Sequence, residues 1–191
     1  KQGITEKLYV EVTCKAGDKS ETAIIAGSHT HFVSSITNIT SSTETNSTSK
    51  PSISLNFRTV YDFATTSPLD EIRFIMETRD YNMNAAREAI KGNYGHNLGK
   101  TIDRPLSKGI FGNTIFSHII SRTASACDTR MGGAMIPVMS NSGSGNQGIC
   151  ATNPVCVYAK ENENTEEELI RALILSHLTA IYIKQSLGTL S

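Results

Sequence analysis

Leu8, Val10, Val12 and Cys14 alternate with Tyr9, Glu11 and Thr13, a period of two that sets the apolar residues on one face of a β-strand. Ala16-Gly17-Asp18-Lys19 supplies a turn, residues 22–26 read as the returning strand and residues 32–36 as a third. The pattern predicts a small antiparallel sheet, with Gly27-Ser28-His29-Thr30-His31 between its second and third strands. Residues 34–49 are nearly all Ser, Thr and Asn, which bury too little apolar surface to repay ordering, so the second half of this stretch is expected to be a mobile loop. Ile53, Leu55 and Phe57 alternate again and predict a fourth strand.

After about residue 65 the period shifts to between three and four. Ser67 as N-cap, Pro68 at the first helical position and Asp70-Glu71 in the first turn mark a helix start, with Leu69, Ile72 and Ile75 or Met76 as its buried stripe. A short helix is expected from about Met83 to Lys91, stopped by Gly92, and GNYGHNLGK reads as a Gly/Asn-rich connection. Phe111, Ile115 and Ile119, with Phe116 and Ile120 beside them, predict a longer helix running towards Cys127. Thr165 and Glu168 form a capping box before a final helix reaching about Leu187. That helix is apolar most of the way round, which predicts an interior position with part of its cover supplied from outside this chain. The expected fold class is α+β: an antiparallel β module over residues 1–60, then a mostly helical domain over residues 61–191.

Composition narrows the function classes. The 191 residues suffice for a sizeable core, and 18 Lys plus Arg balance 18 Asp plus Glu, so no electrostatic footprint for nucleic acid or an anionic membrane is present. Tryptophan is absent and no basic stripe interleaves with aromatic residues. No apolar run approaches a membrane span, and the expected setting is a soluble, cytoplasmic protein. The spacing of Cys14, Cys127, Cys150 and Cys156 matches no zinc-ribbon or ferredoxin pattern, so reduced thiols are expected and no metal site is assigned. Lys1 in place of an initiator methionine suggests a processed product or a fragment of something longer.

The chemistry concentrates in residues 139–148, MSNSGSGNQG, where hydrogen-bonding side chains alternate with glycines between two apolar flanks. Such a loop suits a small polar ligand, because glycines allow close backbone approach and successive N–H groups form an anion-binding concavity. A solvated linker, or side chains that merely cap the next helix, are the structural alternatives. Gly143, Gly145 and Gly148 satisfy GxGxxG, but Pro137 in the would-be strand and Pro154 in the would-be helix argue against a dinucleotide turn. A Ser-x-Gly-Asn flavour at residues 142–146 invites comparison with pyridoxal-phosphate lyases, yet Lys100 and Lys108 lie in loop-like sequence unsuited to a Schiff base.

Asp128 to Val155, DTRMGGAMIPVMSNSGSGNQGICATNPV, resembles the signature segment of the L-cysteine desulfidase family, relatives of the iron-sulfur L-serine dehydratases. Gly27-Ser28-His29-Thr30 and the terminal HLTAIYIKQSLGTLS extend the resemblance over most of the chain. The resemblance implies a lyase that splits L-cysteine into pyruvate, ammonia and sulfide with a [4Fe-4S] cluster whose open iron acts on the departing sulfur. It implies substrate binding by Ser140, Asn141, Ser142, Ser144, Asn146 and Gln147; His29, at a strand end, is read from its imidazole as a candidate catalytic base or carboxylate-binding group. The family's first cluster ligand lies in a Cys-Thr-Glu-Pro type motif that is absent here, and the others lie beyond the segment matching Ser191, so none of the four cysteines is carried over as a ligand. Cys150 is expected to be a small buried thiol and His177 a satisfied core residue. Asp128 and Arg130 are read as an ion pair at a helix end or as groups that orient the loop. The implied partner is a small-molecule amino acid, and a homo-oligomer is compatible with the sequence. The rivals are an L-serine or other hydroxy-acid dehydratase on the same scaffold, and a non-catalytic amino-acid-binding module.

Overall fold

The structure is a computed structural model describing residues 8–27, 32–35 and 55–187; His29, His31, Ile53, Gly188 and the later part of the Ser/Thr/Asn stretch lie outside the described residues. The architecture is α+β, and the chain forms two compact units, residues 1–52 and 53–191.

In the first unit β1 (Tyr9–Ala16), β2 (Lys19–Ala26) and β3 (Phe32–Ser35) form an antiparallel sheet in the order β1-β2-β3. Ala16 pairs with Lys19 across a two-residue turn in which Gly17 takes φ +61°, a conformation that costs a glycine little. Val10, Val12 and Cys14 do share a strand face, and that face is exposed.

The second unit is helical: α1 (Phe57–Thr66), α2 (Leu69–Ile72), a 3₁₀ turn (Arg73–Ile75), α3 (Met76–Lys91), α4 (Leu98–Ile102), α5 (Pro105–Phe111), α6 (Ile115–Met131), α7 (Gly145–Glu161) and α8 (Glu166–Leu187). The expected fourth strand is corrected here. Asn56 and Thr59 make a capping box, Oδ1 accepting from Thr59 N at 3.0 Å, and this local bonding opens α1 at Phe57. Ser67 is therefore the C-cap of α1 and not the N-cap of its successor, its N–H bonding Phe63 O at 3.1 Å, and Pro68 takes the N-cap position of α2. Arg171 closes that end of α1 by donating to Ala64 O and Ser67 O.

The predicted apolar stripe of the middle helix is also corrected, since Phe111 and Phe116 are exposed and α6 buries Ser117, Ser121, Ser125, Ala126 and Thr129. Small residues allow backbones to approach. A Cβ on Gly99 would stand 2.7 Å from Ser125 N, and Ser121 Oγ donates to Gly99 O at 2.9 Å. The Gly/Asn-rich connection accordingly holds a helix, α4, docked on α6. Helix α3 begins seven residues before the expected Met83 and presents Thr78, Asn82, Ala85, Ala86 and Ala89 on its buried face.

Two apolar clusters result: Ala64, Ile72, Ile75, Cys156, Ile170, Leu173 and Ile174 in one, Ala85, Ala86, Ala126 and Ile149 in the other. Asn82 on α3, Thr152 and Asn153 on α7 and His177 on α8 are buried polar residues, and on α3 and α7 they fall between the segments that feed the two clusters. Helix α7 runs through Pro154, which withholds one N–H from the ladder. The capping box of α8 forms as expected, with Thr165 N to Glu168 Oε2 at 2.8 Å and Glu168 N to Thr165 Oγ1 at 3.3 Å. Its interior position holds only for the first half, because Ile183 and Leu187 are exposed.

Candidate functional site

The polar loop is a tight reversal that enters α7. Asn141 and Ser144 exchange backbone hydrogen bonds at 3.0 and 2.9 Å, and Ser142 and Gly143 between them have φ of +48° and +81°. Two consecutive positive φ values are what a type I′ turn requires. Ser144 then caps α7 by accepting from Gln147 N at 3.3 Å.

A buried polar network holds the loop from below. Asn82 pairs with the Met139 backbone as a β-bridge would, Met139 N donating to Oδ1 at 2.8 Å and Nδ2 donating to Met139 O at 3.1 Å. Nδ2 of Asn82 also donates to Thr152 Oγ1 at 3.0 Å, and that hydroxyl donates to Gly148 O at 2.8 Å. Asn141 Nδ2 donates to His177 Nδ1 at 3.1 Å and to His177 O at 3.0 Å. With Nδ1 accepting, His177 carries its proton on Nε2, which donates to Thr152 Oγ1 at 3.0 Å. Asn141 Oδ1 accepts from Ser142 Oγ at 3.0 Å and from Gln147 Nε2 at 2.9 Å.

The candidate residues of the loop each have a place. Asn141 is buried and committed to His177; Ser144 is a helix cap; Ser142 and Gln147 lean on Asn141. Ser140 is exposed at the loop's entry, and its hydroxyl makes no hydrogen bond among the described residues. Asn146 Oδ1 accepts from Arg130 Nη1 at 3.1 Å. His29 lies outside the described residues.

Arg130 is exposed and, among the described residues, has no carboxylate within ion-pairing distance. Its side chain lies over Gly145, where a Cβ would meet Arg130 Cδ and Cζ at 2.9 Å. Asp128 does not pair with it, because Oδ1 and Oδ2 accept from His96 N at 3.0 Å and Leu98 N at 2.8 Å to cap α4. A guanidinium without a carboxylate partner, beside the Gly145 and Asn146 N–H groups that open α7, is the kind of group that can bond an anion.

Asn82 and Thr152 were not singled out by sequence reasoning. The spacing Thr78, Asn82, Ala85, Ala86, Ala89 does mark one small-residue face of a helix, and a lone Asn on such a face was the available signal.

Burial holds the His177 imidazole below its usual 6.5, so the neutral form is the folded one. The unfolded chain binds a proton below about 6.5 that the folded chain refuses, so this contribution is complete above about 6.5 and is lost as pH falls. Urea midpoints at pH 7.5 and pH 5 should show that loss in the wild type and a shallower one in His177→Gln; equal slopes would remove His177 as its source.

The thiols complete the inventory. Cys156 is buried, which pushes its thiol up to about 12, and Cys14 belongs to the first unit. Cys150, expected to be buried, is exposed, because it lies on the side of α7 facing a groove of about 500 Å³ shared with α8. Among the described residues no three His, Cys, Asp or Glu side chains converge to hold a metal ion, so this donor set does not fit a [4Fe-4S] cluster.

A family model described as serine dehydratase alpha chain matches residues 11–191. The chain belongs to the serine dehydratase alpha chain family. It is 60% identical to a UPF0597 protein of Bacteroides thetaiotaomicron over 196 aligned residues, covering 100% of this chain and 46% of that relative. A UPF0597 protein of Porphyromonas gingivalis is 43% identical, covering 100% of this chain and 47% of the relative, and one of Vibrio parahaemolyticus is 40% identical, covering 97% and 45%. The chain thus spans about half the length of the curated relatives it matches. No solved structure matches it. No helix among the described residues is long and apolar enough to cross a membrane.

Proposed function

We propose that this member of the serine dehydratase alpha chain family supplies the substrate-carboxylate cradle of a cytoplasmic lyase acting on L-cysteine, releasing pyruvate, ammonia and sulfide. The observation that carries the reading is Arg130 without a carboxylate partner, placed over Gly145 and bonded to Asn146 at the start of α7. A substrate carboxylate set there would take charge-assisted bonds from the guanidinium and from the first-turn N–H groups. The [4Fe-4S] cluster implied by the family resemblance would be held by residues other than those described. The polar network beneath the loop keeps the cradle in one conformation, so little ordering is left for the substrate to induce.

The same cradle would accept L-serine, because carboxylate recognition does not distinguish a thiol from a hydroxyl. Anaerobically reconstituted full-length protein given each amino acid tests the assignment: sulfide and pyruvate from cysteine support it, pyruvate from serine alone makes the protein a dehydratase, and pyruvate from neither ends the lyase reading. Arg130→Gln in that protein is expected to raise KM about 10- to 100-fold, as loss of one charged hydrogen bond implies, while an exposed site leaves the unfolding midpoint unchanged.

A further inference from the structure

Helices α6 and α7 lie antiparallel, and their cross-contacts fix the register. Arg130 bonds Asn146, Asn153 Nδ2 donates to Arg122 O at 3.4 Å, and His118 bonds Glu161. Cys127 and Cys150 fall between the first two of these rungs, on facing helices and close enough for each thiol to shift the titration of the other. Cys127 packs partly buried against Ala85, Ala86, Ala126 and Ile149, whereas Cys150 is exposed on the groove. One thiol is reachable, and its neighbour is sheltered.

We propose that Cys127 and Cys150 are a peroxide-responsive thiol pair, Cys150 the attacking thiol and Cys127 the resolving one, whose disulfide staples α6 to α7 directly behind the polar loop. The Cys150 thiolate attacks one oxygen of hydrogen peroxide, the O–O bond breaks, and the released hydroxide takes up a proton to become water. The resulting Cys150 sulfenic acid condenses with the Cys127 thiol, forming the S–S bond and expelling a second water. Two thiols lose two electrons and one peroxide gains them.

The surroundings favour this division of labour. The neighbouring Cys127 thiol lowers the Cys150 thiol to about 6 against burial that opposes it, while the neighbouring Cys150 and burial push Cys127 up. Arg130 lowers and Asp128 raises Cys127, and the α8 side of the groove presents Ala172, Leu175, Ser176, Thr179, Ala180 and Ile183, none of which titrates. An attacking thiol that is thiolate at neutral pH beside a protonated partner is the ordinary arrangement of a redox-sensing pair.

Hydrogen peroxide added to the intact chain, followed by alkylation and non-reducing peptide mass spectrometry, tests the proposal, with exposed Cys14 as internal comparison. The expected product is a Cys127–Cys150 cross-linked peptide that forms before Cys14 is oxidised and reverts with dithiothreitol. Cys127→Ala should accumulate a dimedone-reactive sulfenic acid at Cys150, and Cys150→Ala should leave Cys127 alkylatable. Alkylation of wild-type Cys150 at pH 6 should run about tenfold faster than that of free cysteine, the gain in thiolate outweighing its lower nucleophilicity. Cys127 and Cys150 both remaining alkylatable in the wild type after Cys14 has been oxidised would overturn the proposal, whatever the variants do.

Discussion

Replacing Asn82 with alanine is expected to destabilise the helical unit by about 3–5 kcal/mol, since each buried group it leaves unpaired costs about 1–3 kcal/mol. Three bonds go at once: both arms of the clamp on Met139 and the donor to Thr152. Asn82 is fully buried, so water does not replace them at the surface. Urea unfolding reads the effect as a lower midpoint at unchanged slope. Thr152→Val removes the hydroxyl that links Asn82, Gly148 and His177 at similar volume, and should destabilise less. The double variant should lose less than the two single losses together, because the Asn82–Thr152 bond is counted in both. A loss below about 1 kcal/mol for Asn82→Ala would show that the loop is held by something other than this network.

Gly148→Ala has the opposite sign from helix propensity. Alanine in place of glycine inside a helix ordinarily stabilises by about 1 kcal/mol. Here a Cβ would overlap Met139 O and stand 2.8 Å from Ser140 C and Cα, all backbone of the loop that crosses over α7. Backbone cannot swing aside as a side chain can, so the loop must lift, and the expected net loss is about 2–4 kcal/mol together with disturbance of the proposed carboxylate cradle. Gly145→Ala makes the instructive contrast, since its obstruction is the Arg130 side chain, which can rotate away. That variant should keep most of its stability and lose the guanidinium from the cradle. Thermal unfolding of the two side by side decides the matter: a higher midpoint for Gly148→Ala would mean that the close approach of loop and helix is absent.

Legibility in the sequence followed the range of the interactions. The β1–β2 hairpin, the Thr165–Glu168 capping box and the stop at Gly92 were readable because each is made by residues a few positions apart. The fourth strand was misread because period-two alternation over Ile53, Leu55 and Phe57 is short, and the Asn56–Thr59 capping box, equally local, outweighs it. The stripe of α6 was misread for a different reason: large apolar residues were taken to mark the buried face, whereas close helix approach selects Ser, Ala and Gly.

By itself the sequence determined the α+β class, since composition and local spacing carry it, and the resemblance of residues 128–155 led to the serine dehydratase-like family. Only the tertiary structure decided the division of labour within the loop. Asn141 turns inward because His177, 36 positions along the chain, accepts its amide; Arg130 turns towards Asn146 because Asp128 is already committed to α4. Such pairings depend on which helices meet and at what register, and a buried donor finds its acceptor across the chain rather than along it.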